Sequence, residues 1–80
     1  MKARVIVTLK QSILDPQGKA IEGAARSLGI DGVATVRQGK VFDLDLKTED
    51  RTAAERTLAT LCERLLANPV IESYSTELLG

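Results

Sequence analysis

The chain has 80 residues, with eleven Lys plus Arg, eleven Asp plus Glu, one Cys and no His, and is 44% apolar: one domain and one small core, too apolar for disorder. A net charge of zero speaks against binding nucleic acid or anionic membranes, and without His there is no imidazole base, Ser-His relay or His-ligated metal. Cys62, alone, can form neither an internal disulfide nor a thiolate cluster, which fits a reducing compartment and a cytoplasmic location.

Ala3 to Lys10 reads as a strand, with Val5, Val7 and Leu9 on one face and Arg4, Ile6 and Thr8 on the other. The stretch is interrupted by Thr8 and Lys10 and lacks a small-residue cleavage site, so it is not read as a signal peptide. No apolar run approaches the ~20 residues of a membrane-spanning helix. Gln11 to Leu14 connects to a helix that starts at Asp15-Pro16, where Asp15 can cap the first amides and Pro16 loses an N–H with no partner. Ala20, Ile21, Ala24, Ala25 and Leu28 mark its buried face. Glu22 and Arg26 are expected to pair on the opposite side, and Gly29 stops the helix in the left-handed region.

After the turn at Asp31-Gly32, Val33 to Gln38 is expected to be a short strand. Gln38-Gly39-Lys40 then reads as a hairpin reversal, with Gly39 taking a positive φ. Lys40 to Lys47 alternates cleanly, Phe42, Leu44 and Leu46 against Val41, Asp43, Asp45 and Lys47. Thr48 or Thr52 is expected to cap a second helix, Thr52 with Glu55 matching a capping box. Ala54, Leu58, Leu61, Cys62 and Leu65 form its apolar stripe, and Asn68-Pro69 ends it. Val70 to Leu79 is the last strand, with Tyr74 and Leu78 on one face and Ser73, Ser75 and Glu77 on the other.

The order is β-α-β-β-α-β over a single domain, residues 1–80. With right-handed crossovers this predicts an α+β, ferredoxin-like fold: a four-stranded antiparallel sheet with two helices on one face. The open face of that sheet is expected to carry Arg4, Ile6, Thr8, Thr35, Arg37, Val41, Asp43, Asp45 and Lys47. Ile6 and Val41 framed by charges of both signs suit self-association, assigned to Arg4, Ile6, Thr8, Thr35, Val41, Asp43 and Asp45. A chain this short gains from such pairing, because its core alone stabilises it only marginally.

Chemistry is harder to find. Asp43 and Asp45 share a strand face, yet a flat sheet offers neither the concave pocket nor the shifted pKa that an acid-base pair needs. Cys62 lies in an apolar stripe without a basic neighbour and reads as an inert thiol. Gly39-Lys40 leads into a strand and so is no phosphate loop. Phe42 and Tyr74 fall on the covered face, away from any base-stacking role. The Gln11–Leu14 loop holds no Cys for metal transfer and no Arg for an acylphosphatase-like site. Gly18 is left over: it costs roughly 0.5–1 kcal/mol relative to Ala within a helix, so it is expected to let another backbone come close and to mark a contact site.

Thr8-Leu9-Lys10, Leu14-Asp15-Pro16-Gln17-Gly18-Lys19-Ala20, Ser27-Leu28-Gly29, Val36-Arg37 with Gly39-Lys40, and Leu65-Leu66-Ala67-Asn68-Pro69-Val70-Ile71-Glu72 together resemble the PurS family. These are the small subunits of multi-subunit phosphoribosylformylglycinamidine (FGAM) synthase, and the resemblance runs the length of the chain. It implies a non-catalytic subunit in purine biosynthesis, so enzymatic activity belongs only to the complex. That complex converts formylglycinamide ribonucleotide to the amidine with ATP and glutamine. The resemblance further implies a homodimer, with further pairing to a tetramer left open, that bridges the glutaminase subunit and the large synthetase subunit and helps ammonia pass. No cofactor is expected on this chain; ATP and magnesium are used by the synthetase partner. Partner contacts are inferred at Lys10, Asp15, Gln17, Lys19, Arg37, Lys40 and Asn68. A free-standing ligand-sensing module of the same fold is the alternative, distinguished by a ligand-dependent rise in melting temperature.

Overall fold

A computed structural model describes residues 1–80. Strand β1 (Lys2–Leu9) is followed by helix α1 (Pro16–Ser27), strand β2 (Gly39–Asp45), helix α2 (Arg51–Leu61) and strand β3 (Glu72–Leu78). β1 is central, antiparallel to both neighbours, in the order β2-β1-β3. The sheet therefore has three strands and not four.

Alternation in β1 is as expected: Ala3, Val5 and Val7 are buried and the residues between them are exposed. They meet Leu58, Cys62 and Ala67, with Phe42, Leu44, Leu46, Leu66 and Leu78 packed around them. Burial of an aliphatic side chain such as Val5, Val7 or Leu58 contributes about 1.5–3 kcal/mol. This cluster, formed by one helix and one sheet face, is the core.

α1 is not part of it. Its start is as expected, with the Asp15 side chain accepting from the Gly18 amide at 3.0 Å and Pro16 in the first turn. Its end is also as expected: Gly29 has φ +75°, and the amides of Gly29 and Ile30 bond back to Arg26 and Ala25 in a Schellman closure. But Ile21 and Leu28 are 46% and 76% exposed, while Gly18 and Glu22 are the buried positions. Only α2 covers the sheet, so the expectation of two helices on one sheet face is corrected. The radius of gyration is 16.0 Å and the chain is 49 Å long, against about 12 Å for a compact domain of this length.

The hairpin is the second correction. Residues 33–38 form no strand, and Gly39 is absent from the positive-φ glycines, which are Gly29, Gly32 and Gly80. The chain runs straight through Gly39 into β2, where Gly39 lies opposite Thr8. A glycine is needed there for space, since a Cβ would lie 2.8 Å from both Thr8 Cγ2 and the Val7 carbonyl oxygen.

Helix α2 begins after Asp50, so neither Thr48 nor Thr52 is its cap; the Thr48 hydroxyl instead accepts from the Asp50 amide at 3.0 Å. After Leu61 the helix widens into a π-helical stretch, Cys62–Leu66, closed by the Ala67 amide on the Cys62 carbonyl. The extra residue rotates the side chains beyond it about the helix axis. Leu65 is left 73% exposed, outside the stripe assigned to it, and Ala67 turns inward. β3 starts at Glu72, later than expected, because the amides of Ile71 and Glu72 are still held by the Asn68 carbonyl.

Candidate functional site

The two buried polar side chains, Asp15 and Glu22, lie where β1 ends and α1 begins. Asp15, Gly18 and Glu22 recur at i, i+3 and i+7, one line along α1, and all three are buried. That line faces residues 33–38. The Asp15 Oδ2 accepts from the Gln38 amide at 2.6 Å, and the Glu22 Oε2 accepts from the Val36 amide at 2.9 Å. A Cβ on Gly18 would run into the Val36 carbonyl. The close backbone approach marked by Gly18 is thus within the chain. Arg37 completes the joint, its guanidinium donating to the Lys10 carbonyl at 2.8 Å and to the Leu9 carbonyl at 3.4 Å.

The result is an arm, α1 with residues 33–38, that projects from the sheet and is held by its polar side. The Gln38 amide, and after it that of Gly18, holds the Asp15 carboxyl below the ordinary carboxylate range; the Val36 amide does the same for Glu22, helped by Lys19. Both stay ionised at neutral pH as hydrogen-bond acceptors. Between the root of the arm and the sheet lies a cleft of about 330 Å³, bordered by Leu9, Pro16, Gln17, Gln38 and Lys40.

Of the residues assigned to partner contacts, Lys10, Gln17, Lys19 and Lys40 are exposed around this joint. Lys19 lies 3.4 Å from Glu22, and Lys40 lies 3.5 Å from Glu72. Asp15 faces inward and Arg37 is tied to backbone, so both shape this surface from within. Asn68 builds the corner before β3: its Oδ1 accepts from Val70, and its own amide donates to the Glu72 carboxylate.

Of the self-association set, the sheet register places Arg4, Ile6, Thr8, Val41, Asp43 and Asp45 on one uncovered face. Arg4 and Asp43 bond at 2.8 Å, and Ile6 lies opposite Val41, the two 41% and 59% exposed. Thr35 does not join them, because no strand forms there; it lies on the arm beside Glu22 and Arg37. Glu22 itself departs from expectation. It turns inward and does not pair with Arg26, and the signal that would have revealed it is its four-residue spacing from Gly18. Cys62 is buried, its thiol pushed up by desolvation, in keeping with an inert core residue.

A small α+β body with a projecting, internally braced arm and exposed apolar side chains defines a module built for assembly. The family model for phosphoribosylformylglycinamidine (FGAM) synthase, PurS, matches residues 2–80. The FGAM synthase PurS subunit of Archaeoglobus fulgidus is 47% identical, covering 94% of each chain. That of Synechocystis is also 47% identical, over 94% of this chain and 75% of the relative. Among solved structures, the PurLQS structure from Thermotoga maritima matches with a TM-score of 0.88 at 32% identity, over 95% of this chain and 93% of the other. The chain belongs to the PurS family.

Proposed function

We propose that this chain is the small, non-catalytic subunit of FGAM synthase in purine biosynthesis, and that as a homodimer it bridges the glutaminase and synthetase subunits and helps ammonia pass between them. The observation that carries this reading is the near full-length similarity to PurS subunits, among them a chain in the PurLQS structure. It favours a subunit over a free-standing sensing module. The surface supports the same reading. Lys10, Gln17, Lys19 and Lys40 ring the root of the arm, and Leu14, Leu65 and Val70 are each more than two-thirds exposed. Apolar side chains beside solvated charges are the composition of a docking surface. ATP and magnesium are handled by the synthetase, and this chain contributes no catalytic group.

Reconstitution tests the proposal. The synthetase and glutaminase subunits are assayed with ATP, magnesium and formylglycinamide ribonucleotide, with and without this chain. Glutamine-dependent amidine formation is expected to fall at least tenfold without it, while synthesis from an added ammonium salt persists. Equal glutamine-dependent rates in both mixtures would overturn the bridging role.

A further inference from the structure

The zero net charge of the chain hides a division. Residues 1–40 hold seven Lys plus Arg against three Asp plus Glu, and residues 41–80 hold four against eight. Folding sharpens the contrast. Of the three acidic groups in the first half, Asp15 and Glu22 turn inward onto the amides of Gly18, Gln38 and Val36, and only Asp31, in the turn after α1, is exposed. The basic groups stay outside. Lys2 and Arg4 are matched across the sheet by Asp45 and Asp43, so the surplus gathers on the arm and its root. There Lys10, Lys19, Arg26, Arg37 and Lys40 are all exposed, and Lys10, Arg26 and Arg37 have no ion-pair partner. Between Lys10 and Lys19 the loop presents Leu14, 68% exposed. A large apolar side chain rimmed by charge of one sign suits a protein surface of the opposite sign.

We propose that the root of the arm docks on an acidic surface of the glutaminase subunit, with Leu14 buried in the contact and Lys10 and Lys19 pairing with carboxylates around it. The inference rests on the bridging reading and assigns one of its two contacts. The root holds no aromatic side chain on which a base could stack, so its charge fits Asp and Glu side chains and not a nucleic acid. Charge also selects between the larger subunits. In the bridging reading the synthetase takes ATP and a ribonucleotide, both anionic, and a surface that draws them in carries positive potential. A basic arm root would be repelled there. Glutamine has no net charge and imposes no such sign on the glutaminase.

Zero-length carbodiimide coupling tests the contact, because it joins a Lys amine to a carboxylate only where the two touch. The complex is reconstituted from all three subunits with glutamine, ATP, magnesium and formylglycinamide ribonucleotide. Mass spectrometry is expected to find Lys10 and Lys19 coupled to Asp or Glu of the glutaminase. Coupling only to the synthetase or to a copy of this chain, or no coupling at all, would overturn the proposal. Variants test what the contact contributes. The concentration of this chain that half-saturates glutamine-dependent synthesis is expected to rise roughly tenfold in Lys10→Gln/Lys19→Gln and in Leu14→Ala. It should stay near the unaltered value in Arg56→Gln/Arg64→Gln, which removes two exposed, unpaired charges from the acidic half. Synthesis that does not need the chain at all would sink the bridging reading itself. If synthesis needs the chain but the three variants behave alike, the docking assignment falls and the reading stands.

Discussion

Asp15 commits both carboxylate oxygens to its own chain, one to the Gly18 amide and one to the Gln38 amide, and Glu22 holds the Val36 amide. Both pKa values are lowered in the folded chain. A depressed carboxylate contributes stability that is complete above its unfolded value, about 4, and is lost as pH falls through the folded value. The arm should therefore be braced at neutral pH and loosen below about pH 4. An NMR acid titration checks this: the Val36 and Gln38 amides should shift before the amides of Val5 and Val7, and simultaneous movement would count against the brace. Gly18 gives a second test. In Gly18→Ala the new Cβ meets the Val36 carbonyl, which should destabilise by about 1–3 kcal/mol, more than the roughly 1 kcal/mol that Ala gains in a helix. Gly23→Ala, with nothing closer than the Arg26 guanidinium at 3.9 Å, should instead stabilise by about 0.5–1 kcal/mol. Urea melts of the two variants should move in opposite directions, and a shared direction would refute the close approach.

At the level of elements, what was legible in the sequence was whatever local chemistry decides. The alternation of β1, the Asp15-Pro16 entry, the Gly29 stop and the period-two pattern of β2 are all decided within a few residues. Which face of α1 is buried is not. Its line of Asp15, Gly18 and Glu22 resembles a solvated face until residues 33–38 supply amides for it, and its stripe of Ala, Ile and Leu resembles a core face that the single chain leaves open. Gly39 shows the same ambiguity, since a positive φ and a close strand contact both select glycine. The phase change after Leu61 was also invisible, because a π-helical stretch leaves no compositional mark. It has a measurable consequence. Leu58 is 2% exposed and Leu65 is 73% exposed, although the two lie seven residues apart on what would be one helical face. Leu58→Ala should cost about 2–5 kcal/mol, and Leu65→Ala should stay within about 0.5 kcal/mol. Equal losses in chemical denaturation would mean that α2 continues as a regular helix.

The whole molecule is too long for its mass to be packed around one core. Only one sheet face is covered, by one helix, and the arm leaves Ile21, Leu28, Ile30 and Val33 more than two-fifths exposed. A domain of about this size buries only some 60% of its unfolded surface even when compact, so a single copy holds little reserve against the entropy of its chain. Association with a second copy is the direct remedy. It has a thermodynamic signature, because a partner bound by the folded chain and not by the unfolded one makes the melting temperature depend on concentration. Scanning calorimetry of the isolated chain between roughly 5 and 500 µM should show a midpoint that rises by several degrees. A constant midpoint in the unaltered chain would mean that the long monomer is stable alone.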